Sequence, residues 1–241
     1  MKFYNRWEVI ALNKTKVYCV GVGPGDPELV TLKATRLIRE HRIIAFPGKE
    51  PDSSKAYRIA VQAVPELAEK KLLPIHLPML ASEAEREAAH RTGAKQIESY
   101  LSAGESVVYL TLGDPTVYST FFYLKPLLEE DGYETELVSG VTSFCAAAAR
   151  LNISLAEWDQ PVHIIPAIHQ YDMPLSDTGS YVLMKSGRRI KEVRALLKNS
   201  GRQASLVENC GMDDEKIYQN MDDAPNDAGY FSIIISKESE L

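Results

Sequence analysis

The sequence predicts an α/β protein made of two consecutive α/β domains, and three observations carry that reading. Through the first half, short β-branched or apolar runs alternate with helical patterns, as a largely parallel sheet requires. One of those runs, Val107–Leu112, is apolar throughout apart from Thr111, the pattern of a strand buried on both faces. The second half changes character: four strand-like runs are served by one convincing helix. The expected division is an N-terminal extension over 1–14, an N-terminal α/β domain over 15–138, a connecting helix and linker over 139–160, and a C-terminal α/β domain over 161–241.

In chain order, Val17–Val22 reads as a strand running into glycines. After it Asp26 is placed to cap a helix, with Pro27 at the first helical position and Glu28 in the first turn. Leu29, Leu32, Ala34, Leu37 and Ile38 supply its apolar stripe. Ile43–Phe46 is a second strand, closed by Pro47-Gly48. Ser82-Glu-Ala-Glu85 is a capping box opening a helix to about Ser102, with Gly104 beyond it. Val107–Leu112 follows, then a brief strand at Leu137–Val138 and an alanine-rich helix, Thr142–Leu151. The later strands are Val162–Ile165, Tyr181–Met184, Ala204–Val207 and Tyr230–Ile235. A helix over Ile190–Lys198 is stopped by Asn199-Ser-Gly201.

Composition narrows the function classes. Among 241 residues, 45% are hydrophobic and 25% charged, with a net charge of −6 and no block of Lys or Arg. A nucleic-acid binder would show a basic stripe, although a few local cations still suffice for an acidic small molecule. The three cysteines, Cys19, Cys145 and Cys210, are widely separated and read as small buried hydrophobes in a reducing cytosol. No His-Glu-x-x-His or similar cluster is present, and His163 and His169 are six apart across Pro166, so no metal site is expected. The N-terminal "MKFYNRWEVIALNKTK" lacks a signal-peptide core and no apolar run is long enough to span a membrane. The expectation is a cytoplasmic protein without membrane attachment.

The tripeptide Gly-Asp-Pro occurs twice, as Gly25-Asp26-Pro27 and Gly113-Asp114-Pro115. Aspartate followed by proline is a helix start in its own right and explains either copy without a ligand. Three features go further. Both copies follow the C-terminal ends of buried strands, where open α/β sheets bind ligands. Gly21-Val-Gly23-Pro-Gly25 has more glycine than a cap needs, which implies close approach of backbone to a ligand or a packed surface. Gly140-Val-Thr142-Ser143 is a glycine turn into a helix with a small-residue face, where Thr142 or Ser143 either caps or addresses a ligand. The dinucleotide fingerprint Gly-x-Gly-x-x-Gly fails, because Asp26 stands at its third glycine and is electrostatically wrong for a pyrophosphate. Pro24 removes a loop donor, and no Walker motif is present. The ligand expected at these turns is therefore uncharged or cationic. S-adenosylmethionine, with a sulfonium, an ammonium and no phosphate, meets that description.

Taken together, "GVGPGDPELVTLKA", "TLGDPTVYST", "SGVTSFCAAAARL", "YVLMK", "VENCGMDDEKIY" and the late "YFSIIIS" resemble the tetrapyrrole methylase family, in family order over about residues 15–236. The form of the second and third segments is most similar to the branch that methylates C20 of precorrin-2 or its cobalt form in cobalamin (vitamin B12) biosynthesis. The resemblance implies two α/β domains with S-adenosylmethionine in the cleft between them, a tetrapyrrole substrate and a homodimer. It implies cofactor contacts from Gly23, Pro24, Leu112, Gly113, Asp114, Val117, Thr142, Ser143, Met184, Asn209, Cys210 and Phe231. Two departures are Ser139, where the family usually has proline before the Gly-Val/Ile-Thr turn, and Cys210, where relatives often have a small residue.

Methyl transfer from a sulfonium to an electron-rich meso carbon asks mainly for orientation, and no nucleophile motif is present. Asp114 and Tyr118 are the expected catalytic, chiefly positioning, residues. Glu208 is a further polar candidate that also suits pairing with a neighbouring cation, while Tyr123 reads as helix packing beside Phe122. Cations for the substrate's carboxylate arms would come from Lys49, Lys55, Arg58, Arg150, Lys185, Arg188 and Arg189, each equally explained as surface charge except Lys185 at a strand end. His76 is a loop histidine or a substrate contact. The alternatives to C20 methylation are methylation at another ring position and a non-catalytic ligand-binding domain with the same cleft.

Overall fold

The computed structural model describes residues 15–78, 82–166, 175 and 178–238. The proposed extension at 1–14 and His169 lie outside the described residues. The described residues separate into two units, one within 1–23 and 27–140 and one within 24–26 and 141–241.

The first unit holds a five-stranded sheet in the order β3-β2-β4-β1-β5, and every pairing in it is parallel. Its strands are β1 (Lys16–Gly21), β2 (Ile43–Pro47), β3 (Lys71–Ile75), β4 (Val107–Thr111) and β5 (Glu134–Val138). Alternation along each strand sends side chains to both faces. Val17, Cys19, Ile43, Ala45, Val107 and Tyr109 face a core completed by Ile97 and Leu101 of α3 (Glu83–Leu101) and by Phe121, Leu124 and Leu128 of α4 (Phe121–Glu130). Val20, Ile44, Phe46, Val108 and Leu110 are also fully buried, as expected of a parallel sheet covered on both faces. The remaining helices of the unit are α1 (Leu32–Glu40) and α2 (Lys55–Ala63).

Three sequence expectations change here. Asp26 and Pro27 open only a 3₁₀ turn, Pro27–Leu29, and α1 starts at Leu32 with Thr31 as its cap, accepting from the Ala34 N–H. Leu32 is 88% exposed, so the buried stripe is Ala34, Leu37 and Ile38. Strand β3, hidden in the sequence by Pro74, sits at the sheet edge, where a missing N–H costs no ladder bond.

The second unit holds a mixed sheet in the order β6-β7-β10-β8-β9. Its strands are β6 (Val162–Pro166), β7 (Ser180–Met184), β8 (Gln203–Glu208), β9 (Lys216–Tyr218) and β10 (Ser232–Lys237). Strand β10 runs antiparallel to both β7 and β8, so β7 and β8 end at the edge where β10 begins. Helix α6 (Ile190–Asn199) buries Ile190, Val193 and Leu197 against Tyr181, Leu183, Leu206 and Ile234. Helix α5 (Ser143–Leu151) packs on β8 and β10. It is thus part of the second unit and not a separate connector over 139–160.

Candidate active site

In the first unit, β1 and β4 are neighbours whose connections leave in opposite directions, to β2 on one side and β5 on the other. A crevice outside the carboxyl ends of such a strand pair is where open α/β sheets bind ligands. Both copies of Gly-Asp-Pro follow those two strands. The two turns are bonded to each other: Gly23 N–H donates to Gly113 O at 3.3 Å, and Gly113 N–H donates to Gly23 O at 2.7 Å.

The surplus glycines now have a cause. A Cβ on Gly21 would stand 2.5 Å from Gly113 O and 2.8 Å from Gly140 N, and a Cβ on Gly140 would stand 2.2 Å from Gly113 O. These glycines let three strand-end turns stack backbone on backbone. In the second unit, a Cβ on Gly25 would lie 2.1 Å from Cys210 O, and one on Gly211 would lie 2.5 Å from Asp26 N. The close approach expected from the sequence is made by protein to protein.

Asp114 is 7% exposed and caps a turn, where the sequence reading had it start a helix. Its Oδ1 accepts from the Thr116 N–H at 2.8 Å and from the Thr116 hydroxyl, and its Oδ2 accepts from the Gly140 N–H at 3.0 Å. Burial alone would raise the Asp114 carboxyl; bonds from Thr116, the Gly140 amide and Ser139 outweigh it and hold the carboxyl below its ordinary value. Ser139 thus adds a donor to this turn. The "YST" of the motif also has a local role. Ser119 Oγ lies 2.9 Å from Thr111 Oγ1 and accepts from the Phe121 N–H, while Thr120 Oγ1 lies 3.3 Å from the buried Tyr109 hydroxyl.

Tyr118 is 45% exposed and has φ 53°, a left-handed backbone unusual for an aromatic residue. Lys185 (φ 58°) and Asn209 (φ 49°) share that conformation at the ends of β7 and β8. Such strain persists only where the surroundings over-determine it, and it concentrates at functional sites.

The expected contacts fall into two sets. Gly23, Leu112, Gly113, Asp114, Val117 and Tyr118 gather at the carboxyl edge of β1 and β4 in the first unit, with Leu112 and Val117 half-buried. Met184, Asn209, Cys210 and Phe231 gather at one edge of the second sheet, where Ile233 pairs with Met184 and the Asn209 N–H donates to Phe231 O at 3.0 Å. Pro24 is buried and belongs with the second unit. Thr142 and Ser143 begin α5. Thr142 occupies the cap position without a capping hydrogen bond, and its buried Oγ1 has no partner among the described residues.

Several other candidates are spoken for. Arg150 forms a two-pronged pair with Glu215, its Nε 2.9 Å from Oε1 and 3.1 Å from Oε2. The Gly211 N–H donates to the same carboxylate at 2.6 Å. Burial would raise the Glu215 carboxyl, but Arg150, the Gly211 amide and the Cys210 thiol hold it low. Burial and the Glu215 charge push Cys210 up to about 11. Cys145 is exposed, against the expectation of three buried thiols. Tyr123 is 56% exposed and stacks on His90 of α3 at 4.7 Å; α4 packs instead through Phe121, Leu124 and Leu128. Lys49, Arg58, His76 and Arg189 are exposed, and Lys55 and Lys185 half-buried; the Arg188 side chain lies outside the described set.

In the second unit the strand ends carry Asp26, Glu208 and the Arg150-paired Glu215, and the sequence has no lysine–glycine phosphate loop. Carboxylates there suit a cationic ligand and oppose a phosphate. The unpartnered Thr142 hydroxyl offers a hydrogen bond still to be made, so the residues present fit a sulfonium cofactor.

The model of the Tetrapyrrole (Corrin/Porphyrin) Methylases matches residues 16–224. A probable cobalt-precorrin-2 C(20)-methyltransferase of Methanocaldococcus jannaschii is 34% identical over 84% of this chain and 86% of its own. The cobalt-precorrin-2 C(20)-methyltransferase of Salmonella typhimurium is 31% identical over 93% and 98%. In fold, a cobalt precorrin-4 methyltransferase of cobalamin biosynthesis matches with TM-score 0.72 at 24% identity, covering 92% of this chain and 94% of that one. The uroporphyrin-III C-methyltransferase of Thermus thermophilus, solved with S-adenosylhomocysteine, matches with TM-score 0.67 at 21% identity, covering 92% of each. The family model over residues 16–224 and relatives at 31–34% identity over most of both chains agree: the chain belongs to the tetrapyrrole methylases.

Proposed function

We propose that this chain is an S-adenosylmethionine-dependent methyltransferase acting on C20 of cobalt-precorrin-2 (cobalt-factor II) or precorrin-2 in cobalamin biosynthesis. The observation that carries the substrate is the naming of three relatives, at 29–34% identity over most of both chains, for C20 transfer on precorrin-2 or its cobalt form. Relatives named for C11 of cobalt-precorrin-4 match at 28–29%. They make another ring position the second reading.

Bound S-adenosylmethionine supplies a methyl group activated as a sulfonium. The chain's own part is to bind and orient. Gly23, Leu112, Gly113 and Val117 offer backbone and small apolar surface, and Pro24, Met184, Cys210 and Phe231 add apolar contact. Thr142 and Ser143 bring hydroxyls, and Asn209 its backbone. Asp114 holds the turn that presents Leu112, Gly113 and Val117, and Tyr118, fixed by its strained backbone, is the polar side chain proposed to face the substrate. Effective concentration accounts for much of the rate in such a reaction: alignment at near-attack geometry is worth ~7–11 kcal/mol. A homodimer in the cytoplasm is part of the same proposal.

The test is incubation of the purified chain with S-adenosylmethionine and each tetrapyrrole, followed by mass spectrometry. Gain of one methyl group on the precorrin-2 form supports the proposal. Cofactor binding with no methylated tetrapyrrole would leave a non-catalytic binding domain.

A further inference from the structure

The edge of the second sheet where β7 and β8 end and β10 begins holds two buried polar atoms without a hydrogen-bond partner among the described residues, Glu208 Oε2 and Ser186 Oγ. Glu208 is 7% exposed and Ser186 2%. Strand β10 lies between β7 and β8, with Ser232 opposite Glu208, so the two residues flank its entry from either side. Gly187, next to Ser186, approaches the same segment: its Cβ would stand 3.8 Å from Tyr230 Cα.

Glu208 is aimed by its other oxygen. Oε1 accepts from the Gly229 N–H at 2.7 Å, and the Ser232 hydroxyl donates to Gly229 O at 2.6 Å. The carboxylate is therefore anchored through one oxygen, while the other is buried without a hydrogen-bond donor among the described residues. Lys216, its cross-strand neighbour, is the cation expected beside it: Nζ stands 4.0 Å from Oε2, an ion pair but beyond hydrogen-bond reach. The lysine side chain is 58% exposed. A buried carboxylate oxygen without a donor is among the more costly polar defects. Two such atoms beside Met184, Asn209 and Phe231 need an account.

Resting on the cofactor reading above, we infer that Glu208 Oε2 and Ser186 Oγ, one on either side of β10, each accept a hydrogen bond from a different N–H or O–H donor of the bound S-adenosyl ligand. Glu208 is then a binding residue, and the Gly229 bond is what points it at the ligand. The same charge repels phosphate, which gives this edge its preference for a cationic or neutral ligand.

Calorimetric titration of the full chain with S-adenosylhomocysteine tests this, using wild type, Glu208→Gln, Ser186→Ala and Lys216→Met. Glutamine keeps a carbonyl oxygen for the Gly229 N–H and replaces the charged acceptor with an amide donor. Glu208→Gln is expected to weaken binding ~10-fold or more at an unchanged melting temperature. Ser186→Ala is expected to weaken it at least ~3-fold, and Lys216→Met to leave it within about twofold. Titration with 5′-methylthioadenosine, which lacks the amino-acid part, locates each donor. Loss confined to S-adenosylhomocysteine assigns it to the ammonium; loss with both ligands assigns it to the adenosine. Wild-type affinity in Glu208→Gln overturns the inference, as does an equal loss in Lys216→Met, which would make the lysine the carboxylate's partner. Should Glu208→Gln melt lower, Ser186→Ala decides, and unchanged affinity there overturns it. A wild-type chain that binds neither ligand overturns the cofactor reading as well.

Discussion

Asp114 Oδ2 accepts a 3.0 Å hydrogen bond from the backbone N–H of Gly140, tying the turn after β4 to the turn after β5. With Thr116 on the other oxygen, one buried carboxylate organises two strand ends. The Gly-Asp-Pro motif thus acts through its aspartate as a turn clamp.

Replacing Asp114 with asparagine puts an amide N–H₂ or a carbonyl where both oxygens now accept, so one donor loses its partner. The expected cost is ~1–3 kcal/mol. Because the folded carboxyl is held below its ordinary value, its stabilisation is complete above the unfolded value, about pH 4, and drains as pH falls below it. Urea denaturation should therefore show a gap between wild type and Asp114→Asn that narrows below about pH 4. A gap independent of pH would contradict the clamp.

Gly21→Ala drives a methyl to 2.5 Å from Gly113 O and 2.8 Å from Gly140 N, both backbone atoms of stacked turns. The expected destabilisation is ~2 kcal/mol or more. Gly104→Ala meets nothing within 4 Å and pays only for its φ of 86°, roughly 1 kcal/mol. Chemical denaturation of both variants checks the order; equal losses would refute backbone stacking as the reason for Gly21.

The cysteines should separate by burial. Cys145 is exposed, whereas Cys19 and Cys210 are buried, with both thiols pushed up by burial, Cys210 to about 11. Since thiolate is the reactive form, alkylation near pH 8 should label one thiol of the native chain quickly and all three only after denaturation. Mass spectrometry of the labelled chain reads the count, and fast native labelling of Cys210 would contradict its setting.

Thr142 distinguishes a ligand contact from a cap. Its hydroxyl makes no capping bond, so Thr142→Val should leave the melting temperature unchanged or higher while weakening S-adenosylhomocysteine binding ~3–10-fold. Thr142→Ser should restore affinity. A loss of stability with affinity intact would mark it as structural.

The sequence was most legible where pattern and local chemistry agree. Val107–Thr111 announced a doubly buried strand, the Ser82 capping box announced α3, and the alanine run announced α5. It misled where a local signal was outcompeted. Asp26-Pro27 has the form of a helix start, yet Thr31 supplies the cap five residues later, because Gly25 and Asp26 are packed on the 210–211 backbone. Pro74 hid β3, whose edge position tolerates it. Arg150 looked like any surface cation; its pairing with Glu215 links positions 65 apart, which no window of sequence exposes. The cation beside Glu208 is expected from its strand end, but only the sheet shows that Lys216 stops at 4.0 Å and leaves that oxygen without a hydrogen bond. The glycine cluster implies close approach of backbone to a ligand or a packed surface, and of the two it is the protein's own backbone that approaches.

Methyl transfer to a single ring carbon sets this chain's proposed activity apart from transfer at other positions. The direct test is carbon-13 NMR of the tetrapyrrole formed from S-adenosylmethionine carrying a labelled methyl group, with precorrin-2 and its cobalt form each offered as substrate. One new labelled methyl is expected, on C20. A labelled methyl on any other ring carbon, or none while the cofactor binds, would contradict transfer to C20.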